Sequence, residues 1–203
     1  MEMATKYEEK IKDYSYEQLW KLWIKHGRDP EKDTFWAKGK LLEHVVLRGF
    51  ELEFEHKGRG SVAYPFSIRE ENKKQNFELE QIDGAIHFDS FHALIECKDF
   101  SKNKITVEPL AKLRNQLARR HSSVFGIFFT STEATNSAEF LVRFMAPQLI
   151  ILWYLEDIEY CLDNKCFVDC LEYKYKMAVE KCEYSVPYKK FKAGLEQFLV
   201  PKR

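Results

Sequence analysis

The first quarter of the chain has apolar residues at helical spacing. This spacing predicts an amphipathic helical segment over residues 1–30 and a second helix over Thr34–Arg48, with an end at Gly49. Apolar and acidic residues then alternate over Phe50–Phe54, which predicts a strand. Glycines and charged residues over Lys57–Gly60 predict a turn.

The middle of the chain changes to strand-like patterns. Ile68–Glu80 is highly charged and predicts a solvated loop or an insertion. Gln81–Phe88 and His92–Lys98 predict two strands joined by a turn at Asp89 and Ser90. The remaining pattern predicts a helix over Val107–Arg120, a buried strand over Ser123–Ser131, a helix over Ala134–Met145, a buried strand over Gln148–Tyr154, and mostly helix from there to Arg203.

This order of elements indicates the α/β class. A hairpin or meander that leads into two α/β crossovers gives a mixed central sheet with helices on both faces. The 203 residues suit one domain with an extra element or two. We expect an N-terminal helical extension over residues 1–33, an α/β core over residues 34–160, and a C-terminal helical extension over residues 161–203.

Composition and charge exclude several classes of protein. The formal net charge is zero, which argues against a protein that holds nucleic acid by bulk charge but allows a local basic face. No apolar run approaches the roughly 18 to 20 residues of a membrane span. The charged N-terminus has no apolar signal core, so we expect a cytoplasmic protein without a membrane partner.

The five cysteines are unevenly placed. One is Cys97, and the others are Cys161, Cys166, Cys170 and Cys182. A zinc site is conceivable in the second group, because Cys166 and Cys170 are one helical turn apart. The alternative is a set of reduced, buried thiols, since the group has no paired CxxC spacing.

Two charged residues near the end of the second central strand share one face. Because side chains alternate along a strand, Glu96 and Lys98 point to the same side. If the turn pairs Phe88 with Phe91, the same register sets Asp83 opposite Glu96. The strands are otherwise apolar, so these carboxylates need partners for their charge.

A divalent cation between Asp83 and Glu96 would relieve their mutual repulsion, and oxygen ligands suit Mg²⁺. The backbone carbonyl of Cys97 could supply a further oxygen. Lys98 would lie beside the ion, where it could position a water or stabilise phosphate charge. These groups suit phosphodiester hydrolysis. The alternative is a charged hairpin end with a Glu–Lys salt bridge, in which Asp83-Gly84 is only a bulge.

With Ile82-Asp83-Gly84 and Glu96-Cys97-Lys98 on paired strands, the chain resembles the PD-(D/E)XK nuclease superfamily, and within it the Mrr-like branch. The resemblance covers roughly residues 34–160, and Ile82 stands where the family name has proline. It implies a restriction-endonuclease-like fold and Mg²⁺-dependent cleavage of DNA, with Mn²⁺ as a substitute. It also implies that Asp83 and Glu96 are metal ligands and that Lys98 lies at the attacking water.

The same resemblance implies two further site residues. Similar nucleases often carry a glutamate on the helix before the first strand, which points to Glu43, and a polar residue on the helix after the lysine, which points to Gln116. The alternatives are a solvated helix glutamate and a solvent-exposed glutamine.

Basic residues follow the predicted site closely. Lys102 and Lys104 lie in the loop after Lys98, and Lys112, Arg119 and Arg120 lie on the next helix. They are candidates for contact with nucleic-acid phosphates. The alternative is an ordinary solvated helix face.

These observations favour a divalent-metal-dependent endonuclease that acts on double-stranded DNA, in restriction or defence. The alternatives are a repair, junction-resolving or RNA nuclease of the same fold, and a non-catalytic nucleic-acid-binding or assembly module. Many nucleases of this kind pair to cut both strands, so a homodimer is a further expectation.

Overall fold

The computed structural model describes residues 6–27, 35–37, 39–72, 75–89, 91–99, 103–144 and 148–199. The N-terminal segment forms helices α1 (Lys6–Ile11) and α2 (Tyr16–Leu22), and α2 continues into a π-helical turn over Trp23–Gly27. Ser15 begins α2 with a capping box. Its hydroxyl accepts a hydrogen bond from the backbone N–H of Gln18, and the side chain of Gln18 accepts one from the backbone N–H of Ser15. The predicted helical segment is therefore two helices.

Helix α3 (Lys40–Lys57) corrects the next part of the sequence prediction. Neither the end at Gly49 nor the strand over Phe50–Phe54 occurs, because the helix continues to Gly58, which closes it at a positive φ of 65°. Gly49 has a packing role instead. A Cβ atom there would lie 2.5 Å from the ring of Phe167, so only glycine lets this ring pack against the helix.

Seven strands follow. Their ranges are β1 (Ser61–Ala63), β2 (Phe66–Asn72), β3 (Gln75–Ile82), β4 (Gly84–Phe88), β5 (Phe91–Lys98), β6 (Val124–Thr130) and β7 (Ile150–Trp153). The central sheet has the order β1-β4-β5-β6-β7. Its β1–β4 and β4–β5 pairs are antiparallel, and its β5–β6 and β6–β7 pairs are parallel. The mixed sheet predicted from the order of elements is confirmed.

Strands β2 and β3 form a separate antiparallel hairpin. The sequence prediction of a solvated loop over Ile68–Glu80 is wrong. Ile68, Phe77 and Leu79 of the hairpin are exposed, whereas Ile82 at the end of β3 is buried in the core. The high charge of the segment indicated a loop, although apolar and acidic residues alternate over 77–80 as they do in a strand.

Helices cover both faces of the central sheet. Five further helices are α4 (Val107–Ala118), α5 (Asn136–Arg143), α6 (Leu155–Asn164), α7 (Phe167–Lys181) and α8 (Tyr188–Leu199). Leu94 and Phe128 lie in a core with α4 and α5, whereas Ile95 and Phe129 lie in a larger core with α3 and α7. The predicted arrangement of helices on the two faces is confirmed.

The terminal helices belong to the larger core. Ile11 and Trp23 from the N-terminal segment and Phe167 and Phe191 from the C-terminal segment are buried there together with residues of α3. The domain boundaries at residues 33 and 160 stay a prediction. Within the described ranges, no helix is both long enough and apolar enough to span a membrane.

Candidate functional site

Asp83 lies at the corner where the chain leaves the hairpin and enters the central sheet. It separates Ile82, the last residue of β3, from Gly84, the first residue of β4. Phe88 pairs with Phe91 and Gly84 pairs with Ile95, so the predicted register of β4 and β5 is confirmed. Asp83 itself is one residue beyond the last pair.

The carboxylate of Asp83 is fixed by the backbone of the neighbouring strand. Its Oδ2 accepts a hydrogen bond of 2.9 Å from the backbone N–H of Cys97. The carboxylate of Asp83 thus accepts the hydrogen bond that a neighbouring strand would accept elsewhere in the sheet, and the buried N–H group is satisfied. As a result, Asp83 is held beside the stretch Glu96-Cys97-Lys98, as the sequence predicts.

Glu96 is completely buried, with 0% of its surface exposed. Two cations compensate its charge. The Nζ of Lys98 lies 2.6 Å from Oε1, and the Nζ of Lys112 lies 3.0 Å from Oε1 and 3.1 Å from Oε2. A buried carboxylate needs such partners, because isolated burial of the charge costs several kcal/mol.

The ammonium group of Lys98 lies among the oxygens predicted to bind metal. Besides Glu96, it contacts the backbone carbonyl of Cys97 at 3.2 Å and lies 3.8 Å from Oδ2 of Asp83. Burial by itself would lower the pKa of Lys98, but the charges of Glu96 and Asp83 outweigh burial and raise it. These oxygens therefore already surround one positive charge, and as hard donors they fit a divalent cation such as Mg²⁺. The Glu–Lys salt bridge of the alternative interpretation is present as well.

Glu43 is not a solvated helix residue, since only 5% of its surface is exposed. One of its oxygens pairs with Lys40 at 2.6 Å. Burial and the nearby charge of Asp83 together raise the pKa of Glu43 to about 7, although the ion pair with Lys40 opposes the rise. The helix before the sheet therefore brings a third carboxylate into the electrostatic field of the predicted site.

These three carboxylates do not yet converge on one point. Among the described residues, the donor atoms of Glu43, Asp83 and Glu96 do not all lie within 4.8 Å of one another. A set of three thiols does meet this criterion. Oxygens bound to one Mg²⁺ lie about 2.1 Å from the ion and so at most about 4.2 Å apart. At least one of the three side chains must move before all three could contact a single ion.

Gln116 is buried, with 2% of its surface exposed, so the interpretation as a solvent-exposed glutamine is wrong. Its Nε2 donates a hydrogen bond of 2.9 Å to the backbone carbonyl of Gln81. Gln81 lies two residues before Asp83, so Gln116 ties α4 to the end of β3.

Four of the five basic residues predicted to contact phosphates are described, and each pairs with a carboxylate within the chain. Arg119 and Arg120 both pair with Glu80, at 2.8 Å and 2.7 Å. Lys104 pairs with Glu133 at 2.7 Å, and Lys112 pairs with Glu96 as above. Burial would raise the pKa of Glu80, but hydrogen bonds from Arg120 and Arg119 lower it. Lys102 lies outside the described residues.

Sequence reasoning missed the partnership of Lys112 with Glu96. A signal for it exists in the spacing of α4. Lys112, Gln116 and Arg120 recur every four residues and so share one stripe of the helix. In the structure this stripe follows the ends of β3 and β5, where it meets Glu96, the Gln81 carbonyl and Glu80.

No protein-family model matches the chain, and no curated protein matches it either. Three solved structures are similar at low identity. The protein of unknown function AF1548 is 13% identical over 78% of this chain and 95% of its own, with a TM-score of 0.39. The MspJI restriction endonuclease, in complex with a 27-mer oligonucleotide, is 12% identical over 98% of this chain and 37% of its own, with a TM-score of 0.37.

The DNA modification-dependent restriction endonuclease AspBHI is 11% identical over 96% of this chain and 42% of its own, with a TM-score of 0.40. This chain therefore spans less than half the length of the two restriction endonucleases. Scores at this level say nothing of chemistry, so a functional proposal depends on the side chains of this chain.

Proposed function

We propose that the protein is a divalent-metal-dependent endonuclease that hydrolyses DNA phosphodiester bonds, in restriction or defence. The observation that carries the proposal is the meeting of Asp83, Glu96 and Lys98 at one end of the paired strands β4 and β5. The backbone ties Asp83 to Cys97, and Glu96 is fully buried between two lysines. Burial of charged groups costs free energy, and a buried cluster of them therefore favours a functional role.

Asp83, Glu96 and the carbonyl of Cys97 would hold the ion. A bound Mg²⁺ would supply Lewis-acid stabilisation of phosphate charge and make a coordinated water more acidic. Lys98 would have to rotate away from Glu96, and it would then donate to the water or to a phosphate oxygen. Lys112, which contacts both carboxylate oxygens of Glu96, would have to give up at least one of them to the ion.

Glu43 offers a group for proton transfer. With its pKa raised to about 7, it exists in both protonation states near neutral pH. Such a group can take a proton from an attacking water or return one to the leaving oxygen. A movement of its side chain towards Asp83 would instead make it a third ligand.

A non-catalytic nucleic-acid-binding or assembly module is the second candidate. One observation favours it. Lys98 and Lys112 together already balance the charge of Glu96 without any ion. The two candidates differ in a measurable way, because only the enzyme needs Asp83 and Glu96 to bind a metal.

The decisive experiment combines cleavage with metal binding. The purified chain would be incubated with supercoiled, linear and branched duplex DNA, single-stranded DNA and RNA, each with Mg²⁺, Mn²⁺ or EDTA. Calorimetric titration with Mn²⁺ would run in parallel. We expect metal-dependent cleavage of duplex DNA, with a loss of at least about 100-fold in each of Asp83→Asn, Glu96→Gln and Lys98→Met.

Asp89→Asn is the matched control, because Asp89 is an exposed carboxylate beyond the opposite end of the same two strands. Cleavage that survives in all three site variants would exclude the proposed centre. Absence of both cleavage and Mn²⁺ binding would favour the non-catalytic module. Preference for branched DNA or RNA would move the assignment to a repair, junction-resolving or RNA nuclease.

We also propose that two copies act together as a homodimer, because an enzyme with one such centre per chain would use two copies to cut both strands. Light scattering coupled to gel filtration, with and without duplex DNA, would test this. A monomer that cuts both strands at full rate would contradict it.

A further inference from the structure

Three cysteine side chains meet at the corner between helices α6 and α7, apart from the carboxylate site. The sulfur atoms of Cys161, Cys166 and Cys170 all lie within 4.8 Å of one another. Those of Cys166 and Cys170 are 3.4 Å apart. All three residues are buried, with exposures of 0%, 5% and 0%.

The backbone sets this convergence. Helix α6 ends at Asn164, and Lys165 turns the chain with a positive φ of 55°. The backbone N–H of Cys166 then donates to the carbonyl of Cys161, and that of Cys170 donates to the carbonyl of Cys166. One thiol thus comes from the last turn of α6 and two come from the start of α7, so the set depends on the geometry of the corner.

We propose that Cys161, Cys166 and Cys170 bind a thiophilic metal ion, with Zn²⁺ as the probe, as three thiolate ligands. Zn–S bonds of about 2.3 Å in tetrahedral geometry place sulfur atoms roughly 3.8 Å apart. The observed separations lie within about an ångström of this value, so side-chain rotations are enough to close the site. No fourth Cys, His, Asp or Glu of the described residues joins the set, so water completes the coordination.

The surroundings favour negative charge on one of these sulfurs, that of Cys166. The cluster lies at the N-terminal end of the 15-residue helix α7, where the helix dipole stabilises thiolates. Hydrogen bonds from the thiols of Cys161 and Cys170 lower the pKa of Cys166 to about 5. Burial raises the pKa of Cys161 and of Cys170.

Metal binding must also balance in protons. Binding of one Zn²⁺ forms three Zn–S bonds, breaks the S–H bond of each of these cysteines that is still protonated, and releases those protons to solvent. No oxidant or reductant is needed.

This site and the carboxylate site would select different ions. Thiolates favour soft or borderline ions such as Zn²⁺ and Co²⁺, whereas the oxygens around Lys98 suit Mg²⁺. The thiol site would act as a clamp on the corner whose Phe167 ring packs against Gly49 of α3. It would stabilise the fold without taking part in hydrolysis.

The test is a Co²⁺ titration of the reduced full chain in the Asp83→Asn/Glu96→Gln background, which removes the carboxylate site. We expect one Co²⁺ per chain, an intense thiolate-to-cobalt charge-transfer band, and displacement by an equimolar amount of Zn²⁺. Cys161→Ser, Cys166→Ser and Cys170→Ser should each weaken binding by at least about tenfold. Cys182→Ser is the matched control, since Cys182 is exposed and lies at the other end of α7.

Circular dichroism would show whether each serine variant folds. If one does not, the titration of the chain with all three cysteines intact still tests whether the cluster binds metal. Absence of the charge-transfer band at excess Co²⁺ would overturn the proposal. A band that Cys182→Ser removes and Cys166→Ser leaves intact would overturn it too. A Cys166–Cys170 disulfide found by mass spectrometry in reduced preparations, with no bound metal, would have the same effect.

Discussion

The ammonium group of Lys112 bridges the two carboxylate oxygens of Glu96, at 3.0 Å and 3.1 Å. The two residues differ sharply in environment, because the side chain of Lys112 is 48% exposed and that of Glu96 is 0% exposed. An exposed lysine therefore reaches inwards to a buried carboxylate. It occupies the oxygens that a metal ion would need.

Removal of this lysine should strengthen metal binding. In Lys112→Gln, an incoming Mn²⁺ no longer competes with the Lys112 ammonium for Glu96. Partly exposed ion pairs contribute up to about 1 kcal/mol, so we expect the dissociation constant for Mn²⁺ to fall by about two- to fivefold. Isothermal titration calorimetry would measure it. Arg114→Gln, an exposed change of the same charge on α4, should leave the constant unchanged. Weaker binding in Lys112→Gln would mean that Lys112 supports the metal site.

The raised pKa of Glu43 should make stability depend on pH. The folded state keeps the proton on Glu43 up to about pH 7, whereas the unfolded chain loses it near the ordinary glutamate pKa of 4.5. Between these values the folded state binds more protons, so the contribution of Glu43 to stability falls as the pH rises. Glu43→Gln cannot ionise. It should gain on the order of 3 kcal/mol relative to the natural sequence between pH 4 and pH 8 in EDTA.

Urea denaturation at a series of pH values would measure this difference. Glu53 contributes a similar slope in both proteins, because burial raises its pKa to about 7 as well. Glu55→Gln is the control on the same helix, since its side chain is 57% exposed. Parallel stability curves for Glu43→Gln and the natural sequence would contradict the expectation.

Gln116 should act as a positioning residue for the Asp83 corner. Gln116→Leu keeps the buried volume but loses the hydrogen bond to the Gln81 carbonyl, which should cost about 1 kcal/mol of unfolding free energy. Because one of the contacts that hold β3 against α4 is then lost, Mn²⁺ should also bind more weakly. Asn115→Leu, at an exposed position of the same helix, is the control. A stability loss without any change in metal binding would indicate a purely structural role.

The buried ion pair of Lys174 and Asp157 should be important for stability. Both side chains are 0% exposed, and their charged atoms lie 2.8 Å apart. Lys174→Met would leave Asp157 with a buried, uncompensated charge, at a cost of about 3 to 5 kcal/mol. For a chain of this size, the melting temperature should fall by roughly 6 to 20 °C.

Calorimetry would measure the fall, and the double variant Lys174→Met/Asp157→Asn should recover part of it. Lys176→Met is the control, because Lys176 is exposed on the same helix. A melting temperature as low in the double variant as in Lys174→Met would show that the loss comes from packing and not from charge.

The sequence by itself determined the centre of the sheet and the register in which β4 pairs with β5. The alternation along β5 put Glu96 and Lys98 on one face, and the short turn after Phe88 set Asp83 at the level of Glu96. The apolar runs of β6 and β7 were equally clear. Such features depend on residues close in the chain, so local periodicity is enough to predict them.

The tertiary structure decided what depends on distant residues. Gly49 looked like a helix end, but the ring of Phe167 explains the glycine and the helix continues. The segment of β2 and β3 is rich in charged residues, so its composition indicated a loop although its two strands pair with each other. Helices must likewise be placed against strands or against each other before Glu43 is buried, Gln116 contacts Gln81 and the three thiols meet. Packing sets these relations, and a linear pattern does not record them.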